Sequence, residues 1–338
     1  MLEIKIKRLD LAHTWTIARG SADYKENVFV KLEQGGICGF GEAAPNVRYG
    51  ESAALTVTRM KAAAPVFEQH DLFHFEELAA ALAETIRDQS CARAGLEMAL
   101  LDWVGKALQA PLYRMWGLNP ARAPLTSFSI GIDSPEVIQA KVEEAADYPI
   151  LKIKLGMGDD EAVLGAVRRV TDRPLRVDAN EGWLNKEEAL EKIRWLADQN
   201  VEFVEQPLPA AMVEETAWLR ERASLPIVAD EAVKTAADIP KVAHAYDGIN
   251  IKLMKSGGLL EALRMIHLAR ALDLKIMLGC MIESSLAISA AAQLAPYTDW
   301  IDLDGNLLLR EDPFRGVRIE RGKVLYNELP GLGVEGDF

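Results

Sequence analysis

Eight short apolar runs recur at nearly even intervals from about Leu125 onward, and this recurrence constrains the fold more than any other feature of the chain. They read TSFSIGI, ILKIKLG, LRVDAN, FVEQP, PIVADE, GINIKL, KIMLGC and WIDLDG, and nearly all are trailed by a helix-length segment. The polar residues that end five of them, Lys154, Asp178, Glu205, Asp230 and Lys252, stand 24, 27, 25 and 22 residues apart. Such a period holds one strand, one helix and two short loops, so the spacing predicts eight parallel strands closed into a barrel. No eighth barrel helix is evident after WIDLDG.

The first part of the chain follows other rules. EIKIKRL, NVFVKLE and ICGFGEA alternate apolar and polar side chains, with Gly35 and Gly36 between the last two, which predicts an antiparallel sheet with a hairpin. From Glu51 to about Leu108 the period becomes helical, most clearly in CARAGLEMALLDWVGKAL. Strands followed by helices make an α+β domain, assigned to 1–120, beside a barrel over 121–310. The tail, 311–338, passes through the strand-like RIERGKVLY and is expected to return to the first domain. A length of 338 residues suits this division, since a barrel takes about 250 residues and leaves room for a smaller companion.

Charge and composition exclude several classes. The net charge is −13 and the basic residues form no stripe, which argues against nucleic acid as a partner. MLEIKIKRLD lacks the apolar core of a secretory signal, and no run of about 18 apolar residues occurs, so no membrane role and a cytoplasmic location are expected. Cys38, Cys91 and Cys280 are odd in number and far apart, and are read as reduced. A homo-oligomer is compatible with the sequence, though nothing in it requires one.

The charges at the strand ends carry the chemistry. Buried barrel strands should be almost wholly apolar, and their C-terminal ends share one mouth, so Lys152, Lys154, Asp178, Glu205, Asp230 and Lys252 would converge there. Each would cost several kcal/mol if buried alone, whereas together they compensate one another. Asp178, Glu205 and Asp230, from three successive strands, offer oxygen donors to a hard cation, and the absence of nearby His or Cys favours Mg²⁺, one per subunit. Lys152 and Lys154 share a side of one strand, and Lys252 lies on a strand across the barrel, so a bound substrate would meet an amine on each face. A neighbouring ammonium and a divalent cation both favour a neutral amine, which would make Lys154 a base.

With KIK at 152–154, RVDANEGW at 176–183, VEQP at 204–207, ADE at 229–231 and NIKLMKSGG at 250–258, the chain resembles the enolase superfamily, muconate-cycloisomerase subgroup. The resemblance implies a fold of class α/β, a (β/α)7β modified TIM barrel with an α+β capping domain. It also implies Mg²⁺ on Asp178, Glu205 and Asp230, and catalysis by Lys154 and Lys252 through an enediolate.

Asp302 and Asp304, two apart on the last strand, share a side and suit a substrate ammonium. They resemble the Asp-x-Asp motif of dipeptide epimerases, which implies a dipeptide substrate. Arg19, in TIARGSADY, matches the loop arginine that pairs with the glutamate side chain in the members acting on Ala-Glu dipeptides. Lys152 completes the expected substrate-binding set together with Ser129, which would touch the substrate carboxylate, and Glu283, which either lines the substrate or caps the next helix. The main expectation is thus an epimerase for an Ala-Glu dipeptide. Open alternatives are an epimerase for hydrophobic or cationic dipeptides, an o-succinylbenzoate synthase or muconate cycloisomerase type of lyase, and a barrel that binds peptides without turning them over.

Overall fold

The computed structural model describes residues 1–17, 20–336 and 338. Three antiparallel strands, β1 (Leu2–Ile17), β2 (Gly20–Gln34) and β3 (Ile37–Ala43), form the N-terminal sheet in the order β1-β2-β3. Gly35 and Gly36, both with positive φ, make the turn between β2 and β3, a conformation that glycine adopts without steric penalty.

Eight parallel strands follow: β4 (Phe128–Ile130), β5 (Leu151–Lys154), β6 (Leu175–Asp178), β7 (Val201–Glu205), β8 (Ile227–Ala229), β9 (Gly248–Lys252), β10 (Lys275–Gly279) and β11 (Trp300–Asp302). Each bonds to its neighbour in chain order. The ring is drawn together between β11 and the entry to β4 by a parallel bridge of Thr126 to Ile301 and a 2.8 Å bond from Leu303 N–H to Thr126 Oγ1. Helices cover the outside, and several start on side-chain caps: Ser134, Asp159, Asn185 and Ser284 accept first-turn N–H groups after β4, β5, β6 and β10. After β11 comes a short 3₁₀ turn, Gly305–Leu308, in place of a barrel helix. The architecture is therefore the expected (β/α)7β barrel with an N-terminal antiparallel sheet as cap.

The helix Ser90–Ala107 explains how cap and barrel adhere. A period of three to four apolar residues predicts one buried stripe, yet Cys91, Ala92 and every residue from Ala94 to Gly105 are buried. One side meets β3 and another meets the turn Leu253–Ser256 of the barrel, so nearly every face is covered. The approach to β3 is close enough to demand glycine. A Cβ on Gly41 would run into the carbonyl oxygen of Gly95, and one on Gly39 into that of Ala99, backbone atoms that cannot rotate away. Gly41→Ala is expected to destabilise the protein by roughly 1–3 kcal/mol, the usual range for overpacking. Gly165→Ala, at an open helical position, should leave the thermal midpoint unchanged or raise it. Equal midpoints for the two variants would contradict the packing argument.

The C-terminal segment lies on the N-terminal sheet: the Phe314 ring stacks on Phe29 at 5.6 Å, and Leu332 N–H donates to Asp102 Oδ1 on the long helix at 2.9 Å. The far end of the β1–β2 hairpin is tied to the barrel mouth. Arg310 N–H donates to Asp10 O at 2.8 Å, Ile132 N–H donates to Thr16 O at 2.9 Å, and Leu11 bridges Leu309. This places Trp15, Ile17, Gly20, Ser21, Ala22 and Lys25 over the C-terminal strand ends. Among the described residues no helix is long and apolar enough to cross a membrane.

Candidate functional site

Parallel register brings the charged strand ends to one level. Lys154 pairs with Asp178, Asp178 with Glu205, and Gly279 with both Lys252 and Asp302 as Cα partners. Side-chain alternation then turns these groups inward, since successive residues of a strand face opposite ways. The result is a cavity of about 370 Å³ between the barrel mouth and the hairpin, lined among others by Lys152, Lys154, Asp230, Lys252, Asp302, Asp304 and Ser129. Its size is that of a small-molecule site.

Asp178, Glu205 and Asp230 are buried, and one oxygen of each lies within 4.8 Å of the others. Three lysines surround them. Lys152, 1% exposed, places its Nζ 2.7 Å from Glu205, 2.8 Å from Asp302 and 3.3 Å from Asp178. Lys154 pairs with Asp178 at 2.6 Å, and Lys252 with Asp230 at 2.7 Å. The two outer lysines thus flank the carboxylate triad from strands β5 and β9, on opposite sides of the barrel.

The electrostatics divide the acids. Burial works against ionisation of Asp178, but the ammoniums of Lys154 and Lys152 outweigh it and hold its carboxyl below the usual range. Burial is opposed at Asp230 by Lys252 and Lys255, which hold that group well below the usual range. At Glu205 burial prevails, reinforced by the charge of Asp178, and the carboxyl is pushed up to about 7. Although Lys152 stands 2.7 Å away, Glu205 Oε2 accepts no well-aligned hydrogen bond, so the contact is ionic with one acceptor direction unused. A buried triad of oxygen donors from three successive strands, with a carboxylate oxygen of Glu205 lacking a hydrogen bond, fits a divalent hard cation. Mg²⁺ takes oxygen ligands of this kind, held at about 2.0–2.1 Å.

Asp302 and Asp304 differ in their settings. Burial of Asp302 is outweighed by Lys152 and Lys154, so it stays ionised, and it also accepts from Ser127 Oγ at 2.8 Å. Asp304 accepts the Ser129 N–H, but burial and the charge of Asp302 push it up to about 7. Ser129 Oγ lies 3.4 Å from Asp302. Glu283 does not line the cavity: it sits behind the wall, its carboxylate accepting Met281 N–H at 2.8 Å, while Ser284 caps the following helix. Burial, with Glu42 nearby, pushes Glu283 up to about 8. Arg19 lies outside the described residues.

Three supporting residues escape the reading of strand ends. Asn250 donates to Glu205 Oε1 at 2.8 Å and could have been found from its place two residues before Lys252 on the same face. Gln206 accepts the N–H groups of Asp230 and Ala232 and so shapes the turn after β8. Lys255, buried, bonds to the Asp230 carboxylate and to the carbonyls of Asp230, Val233 and Asn250, and carries no strand signal because it sits on a helical turn.

Known proteins match this arrangement along the whole chain. Residues 136–338 match the model of the enolase C-terminal domain-like family, and residues 3–117 that of the mandelate racemase/muconate lactonizing enzyme N-terminal domain. An L-Ala-D/L-Glu epimerase of Bacteroides thetaiotaomicron is 42% identical over 96% of this chain and 85% of its own length. The substrate-liganded L-Ala-D/L-Glu epimerase of Bacillus subtilis superposes with a TM-score of 0.94 and 30% identity, covering 99% of this chain and 98% of that one. A dipeptide epimerase of Enterococcus faecalis, complexed with Mg and L-Leu-L-Tyr, gives 0.92 with 30% identity over 99% and 98%. With both family models matched and the barrel, the cap and the charged strand ends in place, the chain belongs to the enolase superfamily, with an N-terminal domain of the mandelate racemase/muconate lactonizing enzyme type.

Proposed function

We propose that the protein is a Mg²⁺-dependent dipeptide epimerase that inverts the α-carbon of the C-terminal residue, with L-Ala-D/L-Glu as its substrate. The observation that carries this reading is the pair of buried lysines, Lys154 and Lys252, set on opposite sides of one carboxylate triad. Asp178, Glu205 and Asp230 would hold the ion. Bound there, Mg²⁺ supplies electrostatic neutralisation of the charge that develops on the substrate carboxylate as the α-proton leaves.

The chain's own groups do the rest. The neutral amine of one lysine takes the α-proton, and the ammonium of the other returns a proton to the opposite face, so the carbon inverts and the protons balance. One lysine of the pair must therefore be neutral and the other protonated before each turnover. Asp302 and Asp304 orient the substrate by receiving its α-ammonium, and Lys152 offers a cation to its carboxylate. Arg19 is assigned to the side-chain carboxylate of the substrate.

The test is the ¹H NMR spectrum of L-Ala-L-Glu with enzyme and Mg²⁺ in D₂O. Loss of the glutamate α-proton signal with appearance of the L,D isomer is the expected result. Exchange confined to other dipeptides would keep the epimerase and remove the Ala-Glu assignment. A second reading, an epimerase for apolar dipeptides, is favoured by the likeness to the enzyme complexed with L-Leu-L-Tyr. No exchange in any dipeptide would turn attention to the lyase substrates of the same scaffold.

A further inference from the structure

The cations around the cavity are nearly all committed. Lys152, Lys154 and Lys252 are paired with the buried carboxylates, and Arg48 makes a two-pronged contact with Glu181 at 3.1 and 3.0 Å. Lys25 is different. It lies on β2, is half-buried and lines the same cavity. Among the described residues its side chain has no hydrogen bond, ion pair or ring contact, and burial is the one influence acting on its ammonium, which it makes less stable. The chain carries 51 acidic residues against 38 basic ones, so a lysine left without an acid inside a cavity is not explained by scarcity of partners.

Its placement is fixed by its neighbour two positions on. Asn27 shares a face of β2 with Lys25, lines the cavity too, and is held by Glu42 Oε1 at 2.7 Å and by the Ile282 carbonyl at 3.1 Å. The strand is thereby anchored to the barrel loop after β10, and Lys25 hangs over the mouth from a rigid support. A half-buried ammonium with no anion beside it is unfavourable until one arrives.

We propose that Lys25 is a specificity-determining residue whose ammonium pairs with a carboxylate on the side chain of the substrate's C-terminal residue. The assignment rests on the epimerase reading above and deepens it: it selects acidic dipeptides, and it does so from a strand, independently of Arg19. A charge-assisted contact of this kind corresponds to about a 10- to 100-fold preference.

The experiment compares kcat/KM for L-Ala-L-Glu and its neutral amide counterpart L-Ala-L-Gln in the wild-type enzyme, Lys25→Met and Lys25→Arg, with Mg²⁺ present. Lys25→Met is expected to lower the Glu-to-Gln ratio by about 10- to 100-fold through the Glu substrate, while the rate with L-Ala-L-Gln holds. Lys25→Arg should keep the preference for Glu. Retained turnover of L-Ala-L-Gln guards against a folding defect. An unchanged ratio in Lys25→Met, or equal loss of both substrates in both variants, overturns the assignment. A wild-type enzyme that favours neither substrate leaves the epimerase standing and removes the role of Lys25, whereas one that exchanges the α-proton of no dipeptide removes both.

Discussion

Lys252→Ala is expected to lower epimerisation by about 10²- to 10⁴-fold, the usual contribution of a positioned acid or base. The expectation has a sharper form, because Lys154 and Lys252 approach from strands on opposite sides of the barrel. With one amine gone, the other still reaches one face of the α-carbon. In D₂O the variant should therefore exchange the α-proton of one epimer of the dipeptide without inverting it, and leave the other epimer untouched. Lys154→Ala should show the same behaviour with the epimers reversed. Inversion within tenfold of the wild-type rate in either variant, or exchange of both epimers in one of them, would rule out a two-lysine transfer. The fold should survive the change, since Asp230 keeps its bond to Lys255 when Lys252 is removed.

Asp230→Asn is expected to have the largest effect on stability. Asp230 is the shared anion of Lys252 and Lys255, both buried, so its neutralisation leaves two ammoniums without their main partner. Breaking a buried pair in this way costs about 3–5 kcal/mol, because the remaining charge stays desolvated. The thermal midpoint should fall accordingly. A second measurement separates this from the metal site. Saturating Mg²⁺ should raise the midpoint of the wild-type protein, since a ligand at about 100 times its Kd adds near 2.7 kcal/mol, and should raise that of Asp230→Asn far less. If Mg²⁺ shifted both proteins equally, Asp230 would not be a ligand. An unchanged midpoint in the variant without metal would contradict the ion-pair account.

Much of this is legible in the sequence, for a physical reason peculiar to parallel barrels. Every strand of such a barrel points the same way, so a residue's place at the end of a strand is also its place at the common mouth. The interval between Lys154, Asp178, Glu205, Asp230 and Lys252 therefore encoded both the fold and the meeting point of the charges. Burial on both faces gave the strands their near-continuous apolar character, against which a lysine or an acid stands out. Side-chain period placed Lys152 beside Lys154, and Asp302 beside Asp304.

Other features depend on what approaches from far along the chain. The helix Ser90–Ala107 is buried on nearly all sides because β3 and the Leu253–Ser256 turn close over it, and its own periodicity holds no record of the second partner. Glu283 is expected from its place after the seventh strand to line the substrate, with a helix cap as the alternative, yet its carboxylate turns back onto Met281 N–H and is absent from the cavity lining. The order of charges, with Lys152 among three carboxylates while Glu205 is pushed up to about 7, is likewise set by distances between strands.

Lys25 shows the division most clearly. In the sequence it is one lysine among several charged residues of a hairpin; only the docking of that hairpin on the barrel mouth leaves it half-buried in the cavity without an anion among the described residues. The sequence by itself determined the strands, their order and the charged groups at their ends, because local periodicity and parallel direction are properties of the chain. The tertiary structure alone decided which charges are paired and which face the cavity unpaired, because desolvation and Coulomb attraction depend on separations that no spacing along the chain specifies.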